Sequence, residues 1–425
     1  MHKPGPLKGR PITASINSST YYASKYIARV LEPLRGKFFQ NCKRSSDVLV
    51  DIENQQFPSN STIITADIKS LYPSLPINWV MEQIGEVTSH YLEILDLEGI
   101  PLPVFMKILH WVLTHNYYGF NGKIYLQSNG IAMGTPCAVA IADLALAWHE
   151  FKNFPILPRD FLYRRFLDDM LLIGDARIGH TLLTIIGSAP ARIDASSISI
   201  GNSGVFLDLT LSLVPMDQTS SLTSLTPHTS LNSTDLDTST EYRVVSRLYQ
   251  KEISKFQYIL WSSRHRQNVY DNLIISELRR YRLTCTYDED YKAAVNLLQQ
   301  RLLVRRYSYA FVYAAPNIAS RLHLLEEARL IKAGITRQED SPIVAVGSSF
   351  DPRMVSYNWK EIFRIPPILK DPYFNKVFDR LVIAIKHCSN VGRYVTRAKF
   401  DSPEPRLPDA CNSDVRTHLE NFNSF

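Results

Sequence analysis

Cysteine is scarce in this chain of 425 residues. Its five cysteines, Cys42, Cys137, Cys285, Cys388 and Cys411, are far apart and form no Cys-x-x-Cys pair. Neither a disulfide framework nor a cysteine zinc site is indicated, and a reducing, intracellular compartment is expected. Long apolar runs are lacking as well. The longest apolar stretch, 131–149, is interrupted by Gly134, Pro136 and Asp143, which argues against a membrane span. The opening MHKPGPLKGR is polar and rich in Pro and Gly, unlike a secretory signal. No internal repeat is found. The charge excess is small: 47 Lys+Arg against 41 Asp+Glu, a net +6. That permits nucleic acid as a partner without requiring it. With 45% hydrophobic and 21% charged residues, the chain can bury a sizeable core, and its length suits two or three domains.

What is present alternates between two periods. Residues 18–35, 77–96 and 101–116 read as amphipathic helices, and 61–68 (STIITADI) reads as a strand ending in Asp67. Residues 120–128 read as a hairpin around Asn121-Gly122. The tight loop GIAMGTP follows, with Thr135 as the expected cap of the next helix and Pro136 at its first position. That helix, AVAIADLALAWHEF, is apolar on nearly every side and is expected to be buried, with Cys137 as a small core residue. FLYRRFLDDMLLI at 161–173 reads as two apolar runs with Asp168-Asp169 at a hairpin tip. GVFLDLTLSL at 204–213 reads as one further strand. The Ser/Thr-rich segment 217–240 reads as an exposed loop. Beyond it, 241–309 carries 13 Lys/Arg against 7 Asp/Glu among many aromatics. A domain boundary is expected near 240, with helices over 272–283, 291–303 and 317–334 and a polar tail from about 401.

Three acids suggest chemistry. If the strands bearing Asp67 and Asp168-Asp169 lie side by side, their carboxylates converge. Magnesium favours a few carboxylates together with water and phosphate oxygens, and two such ions can clamp an in-line phosphoryl displacement. A single Asp at a strand end is more often a turn or cap residue. Adjacent acids in an apolar hairpin are harder to account for that way, because unpaired charge there costs several kcal/mol. In the basic segment Lys251, Lys255, Arg264, His265, Arg279, Arg280 and Arg282 are interleaved with Tyr258, Trp261, Tyr270 and Tyr281. Cations with aromatics suit a nucleic-acid groove, or else an ordinary helical subdomain with a wet charged face.

In this order, four segments resemble reverse-transcriptase motifs. TADIKSLYPSLP resembles motif A, NGIAMGTPCAVAIADL motif B, YRRFLDDMLLI motif C, and GVFLDLTLSL the strand that follows. HKPGPLKGRPI resembles the end of the fingers region. The variant is most similar to Penelope-like retroelement polymerases, relatives of telomerase. RLYQKEISKFQYILWSSRH, ISELRRYRLTC, SSFDPRM with Trp359, and NVGRYVTRAKF extend the likeness over most of 1–400.

The resemblance implies an α+β right-hand polymerase: partial fingers (1–60), an antiparallel-sheet palm (61–240) and a helical thumb with C-terminal extension (241–400). It implies RNA-directed DNA synthesis from a primer 3′-hydroxyl with two Mg²⁺ (or Mn²⁺), an RNA template, a DNA primer and dNTPs, without a membrane, in the nucleus. By the same resemblance Asp67, Asp168 and Asp169 match the metal-binding triad, Asp169 being the weakest match as a direct ligand. Tyr72 matches the gate against a ribose 2′-hydroxyl. Gln127, Gly130, Met133 and Gly134 match the motif B loop, and Lys3 and Arg10 the cations on the triphosphate. Lys251, Lys255, Arg264, His265, Arg279 and Arg280 would lie along primer and template.

Three departures qualify the likeness. The chain starts inside the fingers motif, no lysine occurs in 170–215, and no GIY-YIG nuclease follows residue 400. The alternatives are a catalytically inactive nucleic-acid-binding remnant, and an RNA polymerase or template-independent transferase.

Overall fold

The computed structural model describes residues 12–335 except 14, 17, 39, 191–192, 217–240, 252–253, 255, 264 and 315–317, together with 343–349 and 380–386. Lys3, Arg10, Lys255, Arg264, the Ser/Thr-rich segment, Trp359, NVGRYVTRAKF and the polar tail lie outside the described residues. The chain divides into two units, Met1–Gly334 and Ile335–Phe425.

In the first unit α1 (Tyr21–Arg35) and α2 (Ser45–Ile52) precede β1 (Gln56–Phe57) and β2 (Ser61–Asp67). The one-turn α3 (Leu71–Ser74), α4 (Ile77–His90) and α5 (Leu102–Thr114) follow. Next come β3 (Tyr117–Phe120), β4 (Lys123–Leu126), α6 (Ala138–Asn153), β5 (Leu162–Phe166), β6 (Asp169–Asp175) and α7 (Ala176–Ser188). The short β7 (Ser199–Gly201), β8 (Ser203–Phe206) and β9 (Leu209–Pro215) come before the Ser/Thr-rich segment. After it run β10 (Tyr242–Leu248), α8 (Gln267–Thr284), α9 (Asp288–Val304), α10 (Tyr309–Tyr313) and α11 (Arg321–Lys332). In the second unit β11 (Ile343–Ser349) pairs in parallel with β12 (Arg380–Lys386).

One sheet has the order β5-β6-β2-β7 and another β1-β10-β9-β8, both antiparallel throughout. The pleat assigns the two faces of the first sheet. Ile64, Ala66, Met170 and Leu172 join a core with α1, α4, α5, α6 and α7, whereas Ile63, Leu171 and Ile173 join another with α2, β8 and β9. Gly204 on β8 lets the second sheet cross close over β2; a Cβ there would stand 2.9 Å from Ile63 Cγ2. Helix α6 is buried nearly all round, as its sequence implies. The helices after 240 enclose a third core around Tyr270, Leu278, Tyr281, Leu298 and Tyr307. No described helix is long and apolar enough to cross a membrane.

Four local expectations change. GVFLDLTLSL is two strands, because the chain reverses at Leu207-Asp208 with Leu207 at φ 56°. Of the two acids after Phe166, only Asp168 sits in the two-residue loop; Asp169 is the first residue of β6. Thr135 does not cap α6: its hydroxyl turns back to the Ala132 carbonyl at 2.9 Å, and Cys137 occupies the cap position. The composition break near 240 falls inside a sheet, since β10 pairs with β9 along its whole length.

Candidate active site

The register of β2 against β6 brings the acids together. Asp67 is the direct cross-strand partner of Asp169. Such partners have Cα atoms roughly 4.5–5.5 Å apart and project to the same face. Asp169, the weakest match by resemblance, is therefore the acid best aligned with Asp67. Asp168 stands beside them in the loop, its carbonyl accepting from the Ile68 amide at 2.9 Å. Like charges facing each other across a ladder repel.

Asp67 is anchored from the far edge of the sheet. Its amide donates to the Ser197 hydroxyl at 2.9 Å, and its carbonyl accepts from the Asp194 amide at 2.9 Å. Ser197 and Asp194 precede β7 in a segment with no sequence signal of its own; only the fold brings it to β2.

Tyr72 lies in α3, just past a left-handed Ser70 at φ 52°. Its hydroxyl is raised above the ordinary tyrosine pKa chiefly by burial, then by Asp168 and Asp143, with Arg35 opposing. The Tyr72 carbonyl accepts from the Ile131 amide at 2.8 Å, which ties α3 to the glycine loop. Gly130, at φ 73°, packs so closely that a Cβ would come within 2.5 Å of Pro73 Cα. At Gly134, φ 106°, a Cβ would meet the Thr13 carbonyl at 2.4 Å. The Thr13 amide donates to the Met133 carbonyl at 2.8 Å, and the Ser15 hydroxyl to the Gly134 carbonyl at 2.9 Å. Gln127 opens the loop: its amide donates to the Asn116 carbonyl at 2.9 Å and its side chain to the Asn129 carbonyl at 3.0 Å.

Asp67, Asp168, Asp169, Tyr72 and the 127–134 loop therefore form one neighbourhood. The carboxylates are hard oxygen donors of the kind magnesium takes. Among the described residues no three His, Cys, Asp or Glu side chains are already gathered around a point where a metal ion would sit.

The basic residues after 240 are arranged differently from a bare cationic groove. Lys251 and His265 are exposed. Arg279 pairs with Glu327. Arg280 pairs with Asp208 at 2.7 Å and Glu277 at 2.8 Å. These partners outweigh burial and raise its pKa further. Tyr270 and Tyr281 are 4% and 0% exposed, and Trp261 packs on Tyr270, Tyr307 and Phe311. Tyr270 and Tyr281 are closed into the third core and offer no stacking face to a base, whereas Trp261 is only partly buried against it.

No protein-family profile and no curated protein matches the sequence. Among solved structures, the chain is similar to telomerase from Candida albicans in complex with a TWJ fragment of telomeric RNA. That match has TM-score 0.46 and 13% identity, over 75% of this chain and 52% of that one. Apo telomerase from Candida tropicalis gives 0.38 and 12%, over 75% and 54%. The Sicinivirus 3Dpol RNA-dependent RNA polymerase gives 0.36 and 14%, over 68% and 54%. The chain spans about half the length of each.

Proposed function

We propose that the protein is a template-dependent nucleotidyltransferase, an RNA-directed DNA polymerase that extends a primer 3′-hydroxyl. The observation that carries this is the pairing of Asp67 with Asp169 across adjacent strands, with Asp168 beside them in the β5–β6 loop. In this reading the first unit supplies a palm from its two sheets and a thumb from α8 to α11.

Asp67, Asp168 and Asp169 would hold Mg²⁺. The bound ions supply a lowered hydroxyl pKa at the primer end and neutralisation of the departing pyrophosphate. Tyr72, fixed by its carbonyl bond to Ile131, would stand where a ribose 2′-hydroxyl has to pass. The Gly130–Gly134 loop, with no Cβ at its two closest approaches, would let template and incoming nucleotide lie against backbone. Lys3 and Arg10 would grip the triphosphate, Arg through its two-pronged fork. Lys251, Lys255, Arg264 and His265 would contact phosphates of primer and template, and nuclear residence would follow from acting on chromosomal DNA.

The test is primer extension on an RNA template with an annealed DNA primer, dNTPs and Mg²⁺. Extension by the wild type should vanish in Asp168→Ala, and ribonucleotides should be refused until Tyr72 is replaced by Val. Retained primer–template binding without extension would overturn the catalytic reading in favour of a nucleic-acid-binding remnant. Efficient extension with ribonucleotides alone would replace it with an RNA polymerase.

A further inference from the structure

Beneath the Leu167-Asp168 loop lies a wholly buried guanidinium. Arg165 is 0% exposed. Its Nε donates to Glu150 Oε1 at 2.7 Å and its Nη1 to Asp143 Oδ1 at 2.8 Å. Nη2 donates to Asn41 Oδ1 at 2.9 Å and to the Asp143 carbonyl at 3.2 Å. Nη1 makes one more bond, to the Leu167 carbonyl at 3.1 Å. The second Asp143 oxygen accepts from Arg35 Nε at 2.9 Å, and Glu150 accepts from the Tyr163 hydroxyl at 3.0 Å. Arg165 is thus paired with two buried carboxylates, and the partly exposed Arg35 links Asp143 onward to Glu32 at the surface. The Arg165 backbone is held too: its amide donates to the Gln40 carbonyl at 2.8 Å and its carbonyl accepts from the Cys42 amide at 3.0 Å.

A buried ion set of this kind is a weak device for stability. Apolar replacements of similar volume are often neutral or stabilising. An apolar cluster could not, however, donate a hydrogen bond to the Leu167 carbonyl. That carbonyl belongs to a non-glycine residue at φ 55°, a left-handed conformation that persists only where its surroundings impose it. The next carbonyl, of Asp168, is pinned by the Ile68 amide at 2.9 Å. The two bonds together fix the loop on both sides of the Asp168 Cα.

We infer that Arg165 is a positioning residue. With Asp143, Glu150 and Arg35 it holds the Leu167-Asp168 loop in its left-handed form, so that the Asp168 carboxylate stays aimed beside Asp67. This rests on the polymerase reading for its catalytic consequence, but its geometric content can be tested separately. The conservative geometry matters more than the charge, since only a forked donor reaches Glu150, Asp143, Asn41 and Leu167 at once.

The test uses a charge-balanced double variant, Arg165→Met with Glu150→Gln, which leaves Arg35 and Asp143 paired. A matched control, Arg164→Met with Asp51→Asn, removes the neighbouring pair bonded at 2.6 Å, in which Asp51 also holds Lys332; the Arg164 side chain is bonded to Asp51 and the Tyr163 carbonyl. Folding of both is verified by circular dichroism and melting. The first readout is Mn²⁺ affinity by electron paramagnetic resonance, without nucleotide, with Asp67→Ala as baseline. The second is kcat and KM for dNTP in primer extension. The inference expects the Arg165 double variant to lose about tenfold in Mn²⁺ affinity and about tenfold or more in kcat. Its KM should be unchanged and the control should behave as wild type. Equal Mn²⁺ affinity in wild type and double variant would overturn it. So would equal losses in the control, or wild-type Mn²⁺ binding no stronger than that of Asp67→Ala. If the wild type binds Mn²⁺ but extends no primer, the polymerase reading fails, and the Mn²⁺ comparison alone decides the role of Arg165.

Discussion

Replacing Gly130 by alanine should damage the protein well beyond the cost of its backbone angle. Gly130 sits at φ 73°, and Gly122, at the tip of the β3–β4 hairpin, sits at φ 71°. An L side chain at such an angle costs about 1–2 kcal/mol. At Gly122 that is the whole cost, since nothing lies within 4 Å of a new Cβ. At Gly130 the new atom would also stand 2.5 Å from Pro73 Cα, 2.6 Å from its oxygen and 2.8 Å from its carbonyl carbon. Carbon contacts relax to roughly 3.5–4.0 Å, so backbone must part from backbone by roughly 1 Å. That movement opposes the 2.8 Å bond from the Ile131 amide to the Tyr72 carbonyl. Overpacking of this order costs about 1–3 kcal/mol. Gly130→Ala should therefore unfold about 1–3 kcal/mol more easily than Gly122→Ala. Urea titrations of the two variants beside wild type measure the difference directly. It should appear in the midpoint with an unchanged slope. The site should suffer as well, since Tyr72 moves with Pro73, so primer extension should fall in Gly130→Ala and not in Gly122→Ala. Equal midpoints for the two variants would refute the claim that close approach, and not the angle alone, requires glycine at 130.

Two further expectations concern thiols and the anchoring of Asp67. Burial raises the Cys42 thiol to about 12, with Asp47 adding to it, and burial raises Cys137 to about 11, from an ordinary value of 9.0. A raised thiol keeps its proton in the folded state while the unfolded chain loses it. Stability should hold below pH 9 and then fall by up to about 1.4 kcal/mol per pH unit per cysteine as pH rises toward 11. Cys42→Ala should flatten that decline in an unfolding series from pH 8 to 10.5, and a slope indifferent to the substitution would count against the burial argument. Ser197→Ala should leave the Asp67 amide without its 2.9 Å acceptor and cost about 1–3 kcal/mol by melting. It should also lower primer extension, although Ser197 is far from the acids in sequence; full stability and activity would show that the bond does not position Asp67.

Much of this protein was legible one segment at a time. The hairpin at Asn121-Gly122 followed from turn chemistry, because both residues accept positive φ, here 49° and 71°. The burial of α6 followed from its having no polar face. The strand ending at Asp67 and the hairpin bearing Asp168 followed from local periodicity. Where a turn used residues without that chemistry, local reading failed. Leu207 is not a residue that favours positive φ, so one strand was expected where the chain reverses and makes two. Leu167 is another such residue: its positive φ goes with a bond from Arg165 to its carbonyl and with packing of its side chain on the first core.

Pairing was beyond the sequence. A strand shows its period but not its partner, and only the fold set Asp67 opposite Asp169, joined β10 to β9 across 240, and brought Ser197 and Asp194 to the Asp67 backbone. Side-chain fate was hidden for the same reason. Arg164 and Arg165 are adjacent and chemically identical. The pleat sends one to a surface-side pair with Asp51 and the other into the interior against Asp143 and Glu150. Tyr270 and Tyr281 read equally well as stacking platforms or as core until the packing of α8 against α9 enclosed them. Composition and local pattern determined which elements form and which residue types could do chemistry. Which of those residues meet is a long-range question, settled by the burial of apolar faces that the carboxylates, arginines and serines have to follow.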